Sequence, residues 1–237
     1  MAGENASGGK KSALCLFIDT WYTQFRVRIL LSSSPRYTEL GDTVPGPTRL
    51  ETTQKAVTHM GQLVFVDLET TGLDLDRNGI IEIGAVFETD GQREPDDFQA
   101  LANPGSVEYN EEAAKIHNIS REAIDAAPPL AEVLKQFDDR CADNAVISGW
   151  NTKFDEAFLY KAYQHHGFPW RFDYHIFDVW SIYKRLQLIG KLPADMHLGL
   201  GTVAQYYNIV RDGEDHHRAL NDVEWTWRLH RLSLDME

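Results

Sequence analysis

The chain has 237 residues, enough for one domain with a substantial core. Its apolar fraction of 43% and charged fraction of 25% are ordinary for a globular protein, which argues against disorder over most of the chain. No apolar run approaches the roughly 20 residues of a membrane span, so we expect no membrane partner. The two cysteines, Cys15 and Cys141, are far apart and form no metal-binding pair, which predicts a reduced, cytoplasmic protein.

The formal net charge of −13 is unevenly distributed along the chain. Residues 1–59 contain seven basic and five acidic residues, a balance of +2, whereas residues 60–237 contain 16 and 31, a balance of −15. An acidic body of this kind would repel a nucleic-acid backbone. Carboxylates gathered around divalent cations would remove this repulsion locally, because the ions reverse the sign of the charge. A solvated acidic surface accounts for most of the remaining charges.

The first part of the chain is irregular and contains no catalytic motif. Residues 1–11 are rich in Gly, Ser and Lys, which is typical of a flexible terminus, and residues 13–31 predict two short strands. The pattern becomes regular after Met60. We therefore predict an N-terminal extension of unknown role, 1–59, and one folded domain, 60–237.

The predicted elements after Met60 follow one another in a regular order. Apolar runs predict strands at 63–68, 80–87, 97–101, 145–148 and 172–177. Apolar residues at helical spacing predict helices at 128–137, 154–166, 179–188, 198–207 and 219–232. Strands that first form a meander and then alternate with helices predict an α/β domain with a mixed sheet.

Two acids stand at the end of the first of these strands. Asp67 and Glu69 are two residues apart after the apolar run 64–66, so strand alternation places both side chains on one face. Neighbouring carboxylates on a buried strand repel each other and lose hydration, and a divalent cation is the simplest compensation. In the alternative interpretation, Glu69 has left the strand and both acids meet water in a loop.

Two further segments place acids at helix starts. Asp155 falls in the first turn of the helix at 154–166, where the helix dipole favours an acid whether or not it binds a metal. His217 and Asp222 open the last helix and can lean toward the same side of it. A lone histidine at such a position would ordinarily be a surface residue.

Taken together, three motifs resemble those of the DEDDh exonuclease family, which includes the proofreading epsilon subunit of bacterial DNA polymerase III. They are DxETTGL at 67–73, NxxFD at 151–155 and HxAxxD at 217–222, and the resemblance covers 63–232. It implies a ribonuclease H-like fold, with a five-stranded mixed sheet flanked by helices. It also implies a 3′–5′ exonuclease that hydrolyses terminal phosphodiester bonds of DNA or RNA and releases nucleoside monophosphates.

The resemblance further implies a metal-dependent mechanism. Two Mg²⁺ or Mn²⁺ ions, roughly 3.5–4 Å apart, would be held by four carboxylates, those of Asp67, Glu69, Asp155 and Asp222. His217, with an ordinary pKa of about 6.5, would take a proton from the attacking water. His216 competes for this role, but the alanine of the motif has the right spacing only when it is counted from His217.

The same resemblance implies a pocket for the terminal nucleotide, formed by Thr70, Thr71, Gly72, Leu73, His117, Asn151 and Phe154. Gly72 permits a close backbone approach, and Leu73 offers an apolar edge to a base. His117 lies in a predicted nucleotide-contacting loop at 116–119. Phe154 could equally anchor its helix in the core.

The expected partner is a single-stranded nucleic acid with a free 3′ end. One alternative keeps the fold and the chemistry but makes RNA the physiological substrate, as in ribonuclease T and oligoribonuclease. Another is a catalytically silent scaffold, against which all five catalytic residues are present. Family members that dock onto a polymerase often use a C-terminal tail. The end of this chain just after its last helix favours a stand-alone nuclease and leaves a polymerase partner open.

Overall fold

A computed structural model describes residues 61–210 and 217–236 of the chain. The predictions for residues 1–59, including the strands at 13–31 and the boundary at Met60, lie outside the described residues, as does His216. In the described ranges, no helix is both long and apolar enough to cross a membrane.

Within the residues that the structure describes, six strands form one mixed sheet: β1 (Gln62–Thr70), β2 (Ile80–Thr89), β3 (Gln92–Arg93), β4 (Phe98–Leu101), β5 (Val146–Gly149) and β6 (Ile176–Asp178). β1 and β2 are antiparallel, with Asp67 opposite Gly84 and Glu69 opposite Glu82. β5 runs parallel to β1, and β6 runs parallel to β5. The order across the sheet is β3-β2-β1-β5-β6, with β4 also paired to β2, so β1 is central.

One edge of the sheet is interrupted. β3 and β4 pair with different halves of β2, with Arg93 opposite Glu88 and Phe98 opposite Ala85. Pro95 lies between the two short strands and has no N–H to donate to a ladder. The predicted α/β class with a mixed sheet is confirmed, but the sheet has six strands rather than five because its edge strand is divided.

Seven helices accompany the sheet in the described part of the chain: α1 (Glu111–His117), α2 (Arg121–Ala126), α3 (Leu130–Asp138), α4 (Lys153–His166), α5 (Val179–Leu188), α6 (Leu200–Tyr206) and α7 (Ala219–Ser233). The last five lie within a few residues of their predicted bounds. α1 and α2 were not predicted, because helices of seven and six residues are too short to show an apolar period. Each begins at a capping side chain, Asn110 and Ser120 respectively.

The last strand begins later than predicted. The apolar residues suggest a strand at 172–177, but β6 covers only Ile176–Asp178. The carboxylate of Asp173 accepts a hydrogen bond of 2.7 Å from the backbone nitrogen of His175, which turns the chain before the strand starts. Phe172 is buried in the core without belonging to a strand.

The core lies on both faces of the sheet. Val64 and Val66 of β1 pack against α3 and α4, whereas Phe65 packs on the opposite face with α5, α6 and α7. Because successive side chains alternate along a strand, Asp67 and Glu69 point to the α7 side. The acids therefore lie beside the helix that carries Asp222.

Candidate active site

The two acids of β1 share one face of a continuous strand. β1 extends to Thr70, so Glu69 lies within the strand and the loop alternative is wrong. Both side chains are half-buried. Glu69 also lies directly across the β1–β2 ladder from Glu82, so a third carboxylate borders the pair.

Asp155 reaches the same strand from α4. Its carboxylate is buried and accepts a hydrogen bond of 3.1 Å from the backbone nitrogen of Leu68, the residue between the two acids of β1. Burial raises the pKa of Asp155 to about 8, and the bond from Leu68 opposes the shift. A helix-start acid that only met water would not be inserted beside a central strand.

The turn that precedes Asp155 is held by an aspartate that the motifs do not include. Asp178, at the end of β6, accepts backbone hydrogen bonds from Asn151 at 2.8 Å and from Thr152 at 3.4 Å. Its second carboxylate oxygen accepts from the Ser181 hydroxyl at 2.8 Å. An acid at the end of a predicted strand was a signal that could have identified this positioning residue.

His217 and Asp222 form the third part of the site. The Asp222 carboxylate is buried on the first turn of α7 and accepts a hydrogen bond of 3.2 Å from the backbone nitrogen of His217. One potential ligand atom from each of Glu69, His217 and Asp222 lies within 4.8 Å of the others, which is close enough for these residues to share a metal ion. The structure thus brings the first and third motifs together.

The start of α7 lies directly on β2. A side chain at Gly84 would come within 2.5 Å of the backbone nitrogen of Leu220 and closer still to the Ala219 carbonyl carbon, so only glycine fits there. The fully buried Glu82 accepts hydrogen bonds from the Ala219 nitrogen at 3.1 Å and from the Arg218 guanidinium at 2.8 Å. Glu82 was not recognised as a site residue, although an acid within an apolar strand is itself a signal.

The carboxylates repel one another strongly. Burial first, and then the charges of Asp155, Asp222 and Glu69, raise the pKa of Asp67 well above its usual range. Burial, with Asp222 and Glu82, raises the pKa of Glu69 to about 9, and Arg218 opposes the shift. These carboxyls therefore bind protons near neutral pH unless a metal cation takes the place of the protons. Carboxylate oxygens are ligands that hard divalent cations prefer, and such an ion would also relieve the repulsion between them.

The end of β1 and the loop that follows it contain four of the residues predicted to bind substrate. The Thr71 hydroxyl donates to the Glu108 carbonyl at 2.7 Å and accepts from the Gly79 nitrogen at 3.1 Å. The Thr70 hydroxyl donates to the carbonyl of Gly72 at 2.7 Å. Both threonine side chains are buried and hold the loop in shape, whereas Leu73 is 44% exposed.

His117 lies at the end of α1 rather than in a loop. Its Nδ1 accepts a hydrogen bond of 3.0 Å from the Ile119 nitrogen, while its buried Nε2 has no partner among the described residues. Burial lowers the pKa of His117; the charge of His217 adds to the shift, and that of Glu82 opposes it. These interactions place the ring near Glu82 and His217, and a buried nitrogen without a partner is expected at a ligand-binding position.

The two remaining predicted residues flank Asp155. Asn151 is exposed and has a left-handed backbone, with φ of 61°. Phe154 is half-buried, and its ring lies 4.9 Å from that of Phe158 in the core. It thus anchors α4 and still presents part of its ring to solvent.

Comparisons with known proteins agree with this geometry. The family model described as exonuclease (RNase_T) matches residues 64–229. The chain belongs to this exonuclease family. DNA polymerase III PolC-type proteins are similar to it. That of Lacticaseibacillus paracasei is 30% identical over 165 residues, which cover 70% of this chain and 11% of the polymerase. A Streptococcus pyogenes protein is also 30% identical, over 72% of this chain and 11% of its own length, so the chain spans about a ninth of these relatives.

Solved structures show the same fold at low sequence identity. The zinc-bound complex of Escherichia coli ExoI with single-stranded DNA has a TM-score of 0.66 at 15% identity, covering 75% of this chain and 41% of that chain. The nuclease domain of 3′hExo, described as a DEDDh family member bound to rAMP, has a TM-score of 0.58 at 18% identity, covering 74% of this chain and 92% of that one. These structures confirm the predicted fold, and the family match over residues 64–229 confirms the predicted resemblance to an exonuclease family.

Proposed function

We propose that this protein is a metal-dependent 3′–5′ exonuclease that releases nucleoside monophosphates from a nucleic-acid end. The observation that carries the proposal is the convergence of four acids and His217 from β1, α4 and the start of α7. Crowded carboxylates with raised pKa values are costly to a fold, and in a family of exonucleases this cost supports a metal-binding role.

Two Mg²⁺ or Mn²⁺ ions would be held by the carboxylates of Asp67, Glu69, Asp155 and Asp222. When bound, the ions supply positive charge against the phosphate group and the negative charge that develops during hydrolysis. The hydrogen bond from Leu68 orients the Asp155 carboxylate, and the one from His217 orients that of Asp222. Both acids are therefore held in place before the ions bind.

His217 acts in this proposal as the general base. Its ring removes a proton from the attacking water as the water oxygen forms a bond to phosphorus. The bond from phosphorus to the departing 3′ oxygen breaks, and solvent protonates that oxygen. The position of a His217 ring nitrogen within 4.8 Å of carboxylate oxygens of Glu69 and Asp222 supports this role.

The proposed substrate is a single strand with a free 3′ end. Leu73 offers an exposed apolar edge against the terminal base, and the free Nε2 of His117 offers a hydrogen bond. Among the similar structures, that of ExoI contains single-stranded DNA and that of 3′hExo contains rAMP, so both sugars are candidates. A role beside a polymerase is a second candidate, favoured by the similarity to PolC-type polymerases.

A degradation time course tests the proposal. Single strands of DNA and RNA with the same sequence and a 5′ label should give descending ladders with Mg²⁺ or Mn²⁺ and remain intact with EDTA. Asp67→Asn should reduce turnover by orders of magnitude while the protein stays folded, as measured by circular dichroism. Full activity in EDTA, or cutting of a circular strand, would show that the proposed reaction is wrong.

A further inference from the structure

One cation beside the proposed active site has no ionic partner among the described residues. Lys153 is the first residue of α4, is exposed, and lies two residues before Asp155. Every other lysine and arginine in the described ranges has a carboxylate, a carbonyl or another interaction partner. Lys153 is thus exceptional among the described residues of an acidic protein.

The missing ion pair is not explained by a shortage of acids. Lys115 pairs at 2.7 Å with an acid three residues before it, and Lys135 pairs at 2.7 Å with one four residues after it. Lys153 has Glu156 three residues later on the same helix, yet the two form no ion pair. Its ammonium group therefore remains available to an external anion.

The position is also unfavourable for helix stability. The start of a helix carries partial positive charge, so a lysine in the first turn costs up to about 1 kcal/mol relative to a neutral residue. Acids are favoured there, as Asp155 and Glu156 illustrate. Stability alone gives no reason for a lysine at this place.

We propose that Lys153 binds a backbone phosphate of the nucleic-acid strand beside the four carboxylates. This inference rests on the proposed function, because that function brings a phosphodiester to Asp155. The exposed Asn151 lies two residues before Lys153, so strand contacts could continue along this turn. The ammonium group of Lys153, on its flexible side chain, suits contact with a single phosphate and does not recognise a base.

The experiment compares the salt dependence of binding in an inactive background. Asp155→Asn, Asp155→Asn with Lys153→Gln, and Asp155→Asn with Lys135→Gln are titrated against a fluorescent dT oligonucleotide in Mg²⁺ at several salt concentrations. One phosphate contact on a single strand contributes about 0.7 to the slope of log affinity against log salt. Loss of Lys153 should reduce the slope by that amount, roughly a fivefold change per decade of salt, whereas loss of Lys135 should not.

Lys153→Glu separates this role from a structural one. Replacing the cation by an acid at the helix start should leave the melting temperature unchanged or raise it, and should weaken binding more than Lys153→Gln does. Equal salt slopes for the Lys153→Gln and Lys135→Gln proteins, or no detectable binding by any of them, would overturn the inference. Hydrolysis by the unmodified protein is measured in parallel. If the unmodified protein hydrolyses the strand but Lys153→Gln does not change the salt slope, only this inference is rejected. If Lys153→Gln changes the salt slope but the unmodified protein does not hydrolyse the strand, only the proposed function is rejected.

Discussion

The backbone of His217 has an unusual conformation. Its φ of 67° is left-handed, which costs a residue with a side chain roughly 1–3 kcal/mol unless the surroundings hold it. Here the His217 nitrogen bonds to Asp222, and Glu82 binds the next two residues. The strain is therefore offset by contacts that also fix the backbone from which the imidazole ring extends.

His217→Asn should reduce kcat by roughly 10²-fold or more, because it removes the proposed general base. Asparagine tolerates the left-handed region well, so the loss would not be an effect of the backbone. Single-turnover rates from pH 6 to 8.5 measure the change. The rate of the unmodified protein should rise over this range, because a general base must be unprotonated, and the rise should be altered in the variant. His216→Asn is the matched control and should cost far less. Equal losses in the two variants would contradict the assignment of His217.

The pairing of β1 with β2 positions the catalytic elements. Asp67 lies opposite Gly84, and the absence of a side chain at Gly84 lets the start of α7 rest on the sheet. Glu69 lies opposite Glu82, which binds the same end of α7. The ladder register thus connects the acids of the first motif to the helix of the third.

Gly84→Ala should both destabilise the protein and reduce its activity. The added methyl group would collide with backbone atoms of α7, which cannot yield without moving Asp222. We expect a loss of about 1–3 kcal/mol, measured by denaturant unfolding, and a decrease in kcat larger than this instability explains. Gly190→Ala is the control, since its φ of 77° strains the backbone where nothing crowds the new methyl group. If both variants keep full activity, close packing at Gly84 does not position the site.

The sequence predicted the long elements and the catalytic acids, because strand and helix periods and the three motifs are local patterns. It did not predict α1 and α2, which are too short for a period, nor the late start of β6, which depends on a hydrogen bond from His175 to Asp173. Glu82 and Asp178 were also missed as positioning residues. An acid within an apolar strand or at its end was a local signal for both. The groups that they hold in place are far away in the chain, so their roles depend on tertiary contacts.

At the scale of the whole molecule, the charge balance separates residues 1–59 from the rest. Every strand and helix of the described exonuclease domain lies after residue 61, and the family match covers 64–229. A shortened protein starting at Met60 should therefore be soluble, with a melting temperature and specific activity close to those of the full chain. If it aggregates or loses activity, the first 59 residues belong to the domain. If only its binding at higher salt weakens, their basic residues contact nucleic acid.

The carboxylates should also determine how stability without metal depends on pH. The folded state raises the pKa of Glu69 to about 9 and that of Asp155 to about 8, and it raises the pKa of Asp67 as well. The folded protein therefore binds more protons than the unfolded chain above pH 4. Stability from these groups is complete below their ordinary pKa values and is lost as the pH rises through the folded values.

In EDTA, the free energy of unfolding should accordingly fall between pH 7 and 8.5, on the order of 1–3 kcal/mol. Above pH 7 the buried His117 and His230, whose pKa values are lowered, are already neutral, and below pH 8.5 the buried Cys141 thiol contributes little. Mg²⁺ should reverse the trend, because it binds the ionised carboxylates of the folded state only. Thermal unfolding at pH 7.0, 7.75 and 8.5 measures how stability changes with pH, once with EDTA and once with Mg²⁺. In EDTA, Asp155→Asn should make stability less dependent on pH. If the stability of the unmodified protein without metal stays constant or rises over this range, the mutual repulsion of the carboxylates is contradicted.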